Sequence, residues 1–221
     1  MKPLNKYIDH TALKAVTTKQ EIIKLCKEAK TYNFFSVCVN SVFVPLAYEL
    51  LKDCDINICS VVGFPLGAMD TESKAFEALQ AIKNGADEID MVINVGLLKS
   101  KAYDAIVKDI SKVKQAIGDK ILKVILETCY LTEDEIIKAC ELCIEAKADF
   151  VKTSTGFGTG GATIAAVKTI KKTIKHHAKV KASGGIRDYE TAIQFINLGV
   201  ERLGVSAGIA IINGEQSDTD Y

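Results

Sequence analysis

Lys152 ends a brief apolar run, Ala148-Asp149-Phe150-Val151-Lys152, and the chain then breaks into Thr153-Ser154-Thr155-Gly156. That is how a buried strand looks where it opens into a loop. A lysine directed into a protein interior loses solvation, which favours the neutral, nucleophilic amine. The plainer reading is a lysine that snorkels from a strand end into water. A second stretch of the same kind, Lys179-Val180-Lys181-Ala182-Ser183-Gly184-Gly185, arrives about thirty residues later, the length of one strand–helix–strand unit. If Lys152 and Lys181 end neighbouring parallel strands, their backbones stand about 4.8 Å apart. Each cation then disfavours the other's charge. At a reference pKa of ~10.4 about one lysine in 2,500 is neutral at pH 7, whereas a value near 7 makes it about half.

Asp90 lies between Ile89 and Met91 in Glu88-Ile89-Asp90-Met91-Val92-Ile93. A strand sends its two neighbours one way and Asp90 the other. The carboxylate could be a partner for a lysine or could move protons. Two lysines and an aspartate converging on one interior favour a catalytic reading over a purely structural one.

An anion site is also suggested. Between Lys152 and Arg187, both included, there are eight lysines and arginines and no acidic residue. Lys168, Lys171, Lys172 and Lys175 read as the solvated face of one helix. Ser183-Gly184-Gly185 and Gly204-Val205-Ser206 instead follow strand-like runs, and a short helix from Ala207 to Ile212 begins next. Backbone N–H groups in such a place can hold phosphate, or the glycines can simply make the turns.

Other motifs carry less. Gly156-Phe157-Gly158-Thr159-Gly160-Gly161 matches a dinucleotide fingerprint in form, but a lysine precedes it and no acid for a ribose follows at the expected distance. Cys140 and Cys143 form a CxxC that shares a helical apolar stripe with Ile136 and Ile144, which reads as core. His10, His176 and His177 lack metal-ligand spacing. His10, beside Asp9, could join a polar network or be a structural histidine.

The elements that must position these residues alternate from the start. Strand-like runs occur at Tyr7–Asp9, Phe34–Val39, Ile56–Val62, Glu88–Ile93, Ile121–Leu126, around Lys152, around Lys181, and at Arg202–Gly204. Helical runs follow each, among them Ser41–Leu51, Thr71–Lys83, Lys101–Ile117 and Asp188–Leu198. Thr18 with Glu21, and Thr132 with Glu135, form capping boxes. Eight repeats at roughly 28-residue spacing, without a hairpin signal, predict an α/β chain forming a single (β/α)8 barrel over residues 1–213. The polar residues alternating along several strands favour this over a doubly wound open sheet. Residues 214–221 are polar and read as a flexible tail.

Length and composition fit that picture. The chain has 221 residues, 48% of them hydrophobic, enough for one sizeable core. Lysine plus arginine and aspartate plus glutamate number 28 each, so no global field draws the chain to nucleic acid or an anionic membrane. The first residues lack the apolar core of a signal peptide. No apolar run approaches the roughly twenty residues needed to span a bilayer. Seven cysteines without a framework fit a reducing compartment, so a cytoplasmic location is expected.

Along its whole length the chain resembles the deoxyribose-phosphate aldolases, Schiff-base (class I) aldolases. The resemblance rests on Tyr7-Ile8-Asp9-His10-Thr11, Val37-Cys38-Val39-Asn40, Gly63-Phe64-Pro65-Leu66-Gly67, Glu88 to Asn94, Phe150 to Gly161, Lys181 to Arg187 and Arg202 to Ser206. It implies that Lys152 forms an imine, that Lys181 lowers the pKa of Lys152, and that Asp90 serves in proton transfer. It further implies that Gly184, Gly185, Gly204 and Ser206 hold a substrate phosphate, that Asp9 and Thr11 line the pocket floor, and that Cys38, Thr155 and Gly156 border the substrate. Some members end in a tyrosine that reaches the active site, which makes Tyr221 a further catalytic candidate. The implied substrates are a phosphosugar and aldehydes, the implied chemistry needs no metal or organic cofactor, and a homodimer or higher homo-oligomer is expected. Two departures are Ala207, where the family often has a second serine, and Phe157, where some members carry a lysine. The alternatives are another Schiff-base barrel aldolase with a different aldehyde, and a barrel that binds phosphosugars without a covalent bond.

Overall fold

The computed structural model describes residues 2–217. Eight strands pair in parallel and close on themselves in sequence order, β1 pairing with both β2 and β8. They are β1 (Ile8–Ala12), β2 (Ser36–Val39), β3 (Asn57–Val62), β4 (Glu88–Val92), β5 (Ile121–Ile125), β6 (Phe150–Lys152), β7 (Lys179–Ser183) and β8 (Arg202–Val205). The helices are α1 (Lys19–Tyr32), α2 (Val44–Leu51), α3 (Thr71–Lys83), α4 (Val95–Lys99), α5 (Tyr103–Ile117), α6 (Glu133–Glu145), α7 (Ile164–Ile174), α8 (Tyr189–Asn197) and α9 (Gly208–Asn213). This is the eightfold barrel that the alternation predicts.

The period of two along each strand builds two interiors. On β4, Ile89 and Met91 point outward and join the apolar layer under the helices, while Asp90 turns inward. On β2, Val37 and Val39 join that outer layer, while Cys38 belongs to a small inner cluster with Leu13, Cys59 and Val61. Burying one aliphatic side chain of the outer layer is worth about 1.5–3 kcal/mol.

Helix starts follow the sequence closely. Thr18 and Thr132 accept from the backbone of Glu21 and Glu135, whose carboxylates reach back to complete both capping boxes. Asp70, Thr163 and Asp188 cap α3, α7 and α8.

Several boundaries differ from expectation, most by one or two residues. β1 begins at Ile8, because Tyr7 lies in a 3-10 turn over Leu4–Tyr7, and it continues to Ala12. The expected helix at Ser41–Leu51 is a 3-10 turn, Ser41–Phe43, followed by α2, where Pro45 sits in the first turn with its φ already set for helix. The run to Ile117 starts at Tyr103 and is preceded by a separate short helix, α4, capped by the side chain of Asn94. The last helix begins at Gly208, one residue later than expected.

Candidate active site

β6 and β7 place Lys152 and Lys181 in direct register. Both end on one atom: Oδ2 of Asp90 accepts from Lys152 Nζ at 2.8 Å and from Lys181 Nζ at 2.7 Å. Its other oxygen, Oδ1, accepts from Lys123 Nζ at 2.8 Å and from the Cys59 thiol at 3.0 Å. All these side chains are buried in the lumen. Burial alone would raise the Asp90 pKa, but Lys123, Lys152 and Lys181 outweigh it and hold the carboxyl well below the usual range.

The lumen charges form a closed ring. Arg202 donates to Asp9 Oδ1 at 2.6 Å, and Asp9 Oδ2 stands 2.6 Å from Lys181. Lys181 reaches Asp90, Asp90 meets Lys123, and Lys123 lies 2.6 Å from Glu88. Glu88 returns to Arg202 through bonds of 3.1 and 2.7 Å. Three cations alternate with three carboxylates. Burial opposes the charge on Lys181, but Asp9 and Asp90 together raise its pKa well above the ordinary lysine value, so it stays cationic. Asp9 is likewise held low by Arg202 and Lys181 against the effect of burial.

Lys152 hangs from this ring as a fourth cation, with one carboxylate partner where Lys123 and Lys181 have two each. The ring is neutral without it. Lys152 is therefore the lysine of the cluster with the fewest carboxylate partners.

The other expected residues fall into two groups. Asp9 lies inside the ring, committed to Arg202 and Lys181, and Thr11 above it donates to the Asp9 carbonyl at 2.8 Å. Cys38 stands in register between Thr11 and Cys59. Its bond with Cys59 lowers its pKa against the effect of burial, with help from Lys181 and Lys152. Gly184 and Gly185 follow β7 at φ 85° and 79°, a left-handed backbone that glycine adopts without strain. Gly156 lies in the β6–α7 loop, which packs on the β7 loop so closely that a Cβ at Gly161 would fall 2.2 Å from the Gly184 carbonyl. Gly204 supports Lys181: a Cβ there would meet the lysine's Cε at 3.0 Å. Ser206 is exposed after β8. Tyr221 lies outside the described residues.

Sequence reasoning missed Lys123, Glu88, Arg202 and Glu127. The first three obey the alternation that marked Asp90: Lys123 sits between Leu122 and Val124, both packed outward, in register with Asp90. Glu127 left no periodic signal. It follows β5 with φ 56° and ψ 63°, and its buried carboxylate accepts from the Thr155 backbone N–H at 3.1 Å and from the Thr155 hydroxyl.

Other expectations resolve on structural grounds. His10 donates to the Glu28 carboxylate at 2.9 Å and packs on Phe34, a structural role outside the ring. Cys140 and Cys143 are core, and burial pushes the Cys140 thiol up to about 12. Cys38, Cys59 and Asp90 bring possible metal-ligand atoms within 4.8 Å of one another. Lysine ammonium groups already occupy the carboxylate there, and adding a divalent cation beside them would be strongly repulsive. Among the described residues no helix is long and apolar enough to cross a membrane.

A closed parallel barrel with paired lysines on one buried carboxylate at the ends of β6 and β7 is the architecture of an aldolase that works through a lysine imine. The chain belongs to the DeoC/LacD family of aldolases, whose family model matches residues 4–213. It is 58% identical over 218 residues to a Streptococcus suis protein named deoxyribose-phosphate aldolase, covering 99% of each chain. A Carboxydothermus hydrogenoformans protein of the same name is 56% identical, over 97% of this chain and 96% of its own. Among solved structures, one described as an aldolase superposes with a TM-score of 0.93 at 45% identity, over 96% of both chains. A deoxyribose phosphate aldolase from Aeropyrum pernix, described as tetrameric, gives 0.87 at 30% identity, over 95% of this chain and 89% of that one.

Proposed function

We propose that the protein reversibly cleaves 2-deoxy-D-ribose 5-phosphate to acetaldehyde and D-glyceraldehyde 3-phosphate, with Lys152 as the imine-forming residue. The observation that carries this reading is the single Asp90 oxygen shared by Lys152 and Lys181. Neutral Lys152 attacks C1 of the open-chain sugar, and loss of water leaves a protonated imine. That cation is an electron sink two atoms from the bond to be broken. The two-carbon product keeps C1 and C2, so the C2–C3 bond breaks, its electrons form an enamine, and the C3 hydroxyl loses its proton as C3 becomes an aldehyde. A water held by both Asp90 and Lys181 takes that proton and returns one to C2. Hydrolysis of the acetaldehyde imine then frees Lys152.

Lys181 keeps a fixed positive charge beside the reacting amine, which disfavours a second cation there. Backbone N–H groups of Gly184, Gly185, Gly204 and Ser206 hold the phosphate, and the open space around Gly185 suits an anion. Thr11, Cys38 and Gly156 border the carbon chain. A homo-oligomer is consistent with the tetramer described for the Aeropyrum pernix relative. Seven free thiols suit a cytoplasmic setting.

Borohydride reduction in the presence of acetaldehyde tests this reading. A two-carbon adduct on the Lys152 peptide is expected, and its absence with intact, folded protein would overturn it.

A further inference from the structure

Beside the barrel mouth, the loops after β3 to β6 enclose a cleft of about 220 Å³. Leu66, Val92, Val95 and Phe157 make its apolar walls, and Glu127 with Thr155 makes a polar one. Val92 lies two residues beyond Asp90 on the same face of β4, and Thr155 three beyond Lys152. The cleft therefore opens about 6–7 Å above the reacting groups.

Glu127 is held there at a cost. It is buried and left-handed, a conformation a non-glycine residue keeps only where its surroundings over-determine it. Here they do: Leu126 N–H donates to the Lys152 carbonyl at 2.9 Å, and Thr128 N–H to the Thr153 carbonyl at 3.0 Å. The carboxylate takes both the N–H and the hydroxyl proton of Thr155. The Thr155 oxygen in turn accepts from Phe157 N–H at 2.9 Å. A hydroxyl has one proton and two lone pairs. With the proton given to Glu127 and one lone pair used, Thr155 can offer a ligand only an acceptor.

We infer that Glu127 is a positioning residue: it fixes Thr155 as an acceptor toward the hydroxyl-bearing carbon chain of the aldehyde acceptor and so sets specificity there. The inference rests on the aldolase reading. A wall of acceptors bearing a negative charge takes a hydroxyl and repels a phosphate.

Glu127→Gln keeps the shape and reverses the polarity. The amide oxygen can still accept from Thr155 N–H, but its NH2 must donate to the hydroxyl, which frees the hydroxyl proton. With acetaldehyde as donor, D-glyceraldehyde and propanal serve as acceptors and the products are quantified by mass. The native protein is expected to favour glyceraldehyde by at least about tenfold in kcat/KM, the effect of one good hydrogen bond. In Glu127→Gln that preference should fall below about threefold, through loss on glyceraldehyde alone, with acetaldehyde trapping unchanged. Parallel losses on both acceptors, an unchanged ratio, or no native preference would overturn the inference. Failed trapping in the native protein would instead overturn the aldolase reading. If Glu127→Gln does not fold, Thr155→Val must abolish the preference and Thr155→Ser must keep it; any other result sinks the inference.

Discussion

Lys152 and Lys181 stand side by side on β6 and β7 and share one acceptor atom, Asp90 Oδ2. The arrangement separates two amines of the same chemical type by their partners. Lys181 is fixed as a cation between Asp9 and Asp90, whereas Lys152 has Asp90 alone.

Lys152→Arg should abolish both turnover and borohydride trapping, because a guanidinium stays protonated and cannot form the imine. Peptide mass after reduction reads the outcome directly. Retained turnover would remove Lys152 from the mechanism.

Asp90→Asn should lower kcat by about 10²–10⁴-fold, the usual contribution of a positioned acid–base group. Exchange of acetaldehyde methyl protons with solvent deuterium should slow as well. A kcat within about threefold of native would assign the proton steps elsewhere.

Stability should fall on the acid side, below about pH 4. Asp9 and Asp90 both have folded-state pKa values held below the unfolded value of ~3.9. Their contribution is present above that value and is lost as pH falls through it toward the folded values. Thermal denaturation from pH 7 down to 2.5 should show a flat region followed by a drop. A protein that loses stability steadily from pH 6 would contradict this.

Outside the lumen, Lys74 of α3 is buried and pairs with Asp109 of α5 at 2.6 Å, and it also donates to the Val92 carbonyl. Lys74→Met should destabilise by about 3–5 kcal/mol, since it leaves the buried Asp109 charge with the Thr71 hydroxyl but no cation. Adding Asp109→Leu should recover most of that loss in denaturant unfolding. If the double variant is no better than the single one, the ion pair itself, and not the orphaned charge, is what stabilises.

We also predict that deleting Tyr221 leaves trapping intact and slows proton exchange at the enamine carbon. Exchange at the full-length rate would remove this residue from the reaction.

The barrel was legible in the sequence because each repeat carries its own punctuation: a capping residue, an apolar stripe, a period-two run. Asp90, Lys152 and Lys181 were legible because a charge inside an apolar alternation has only one face to occupy. Lys123 and Arg202 obey the same rule but lack the small-residue loop break and the matching repeat that mark Lys152 and Lys181. The closed ring could not be read at all. It joins strands that are far apart in sequence and meet only across the lumen. Glu127 escaped for another reason: its position depends on a backbone conformation forced by bonds to β6, and no local preference of glutamate announces it.

The ring has an origin in chain order. Its carboxylates, Asp9, Glu88 and Asp90, all come from β1 and β4, while Lys123, Lys181 and Arg202, with Lys152 beside them, come from β5 to β8. The first half of the barrel is thus an anionic cup and the second a cationic one. Neither could be sealed alone without burying like charges against each other. The two halves are electrostatic complements, matched like the faces of a heterodimer although they belong to one chain, and a folded half-barrel has no way to neutralise its own interior.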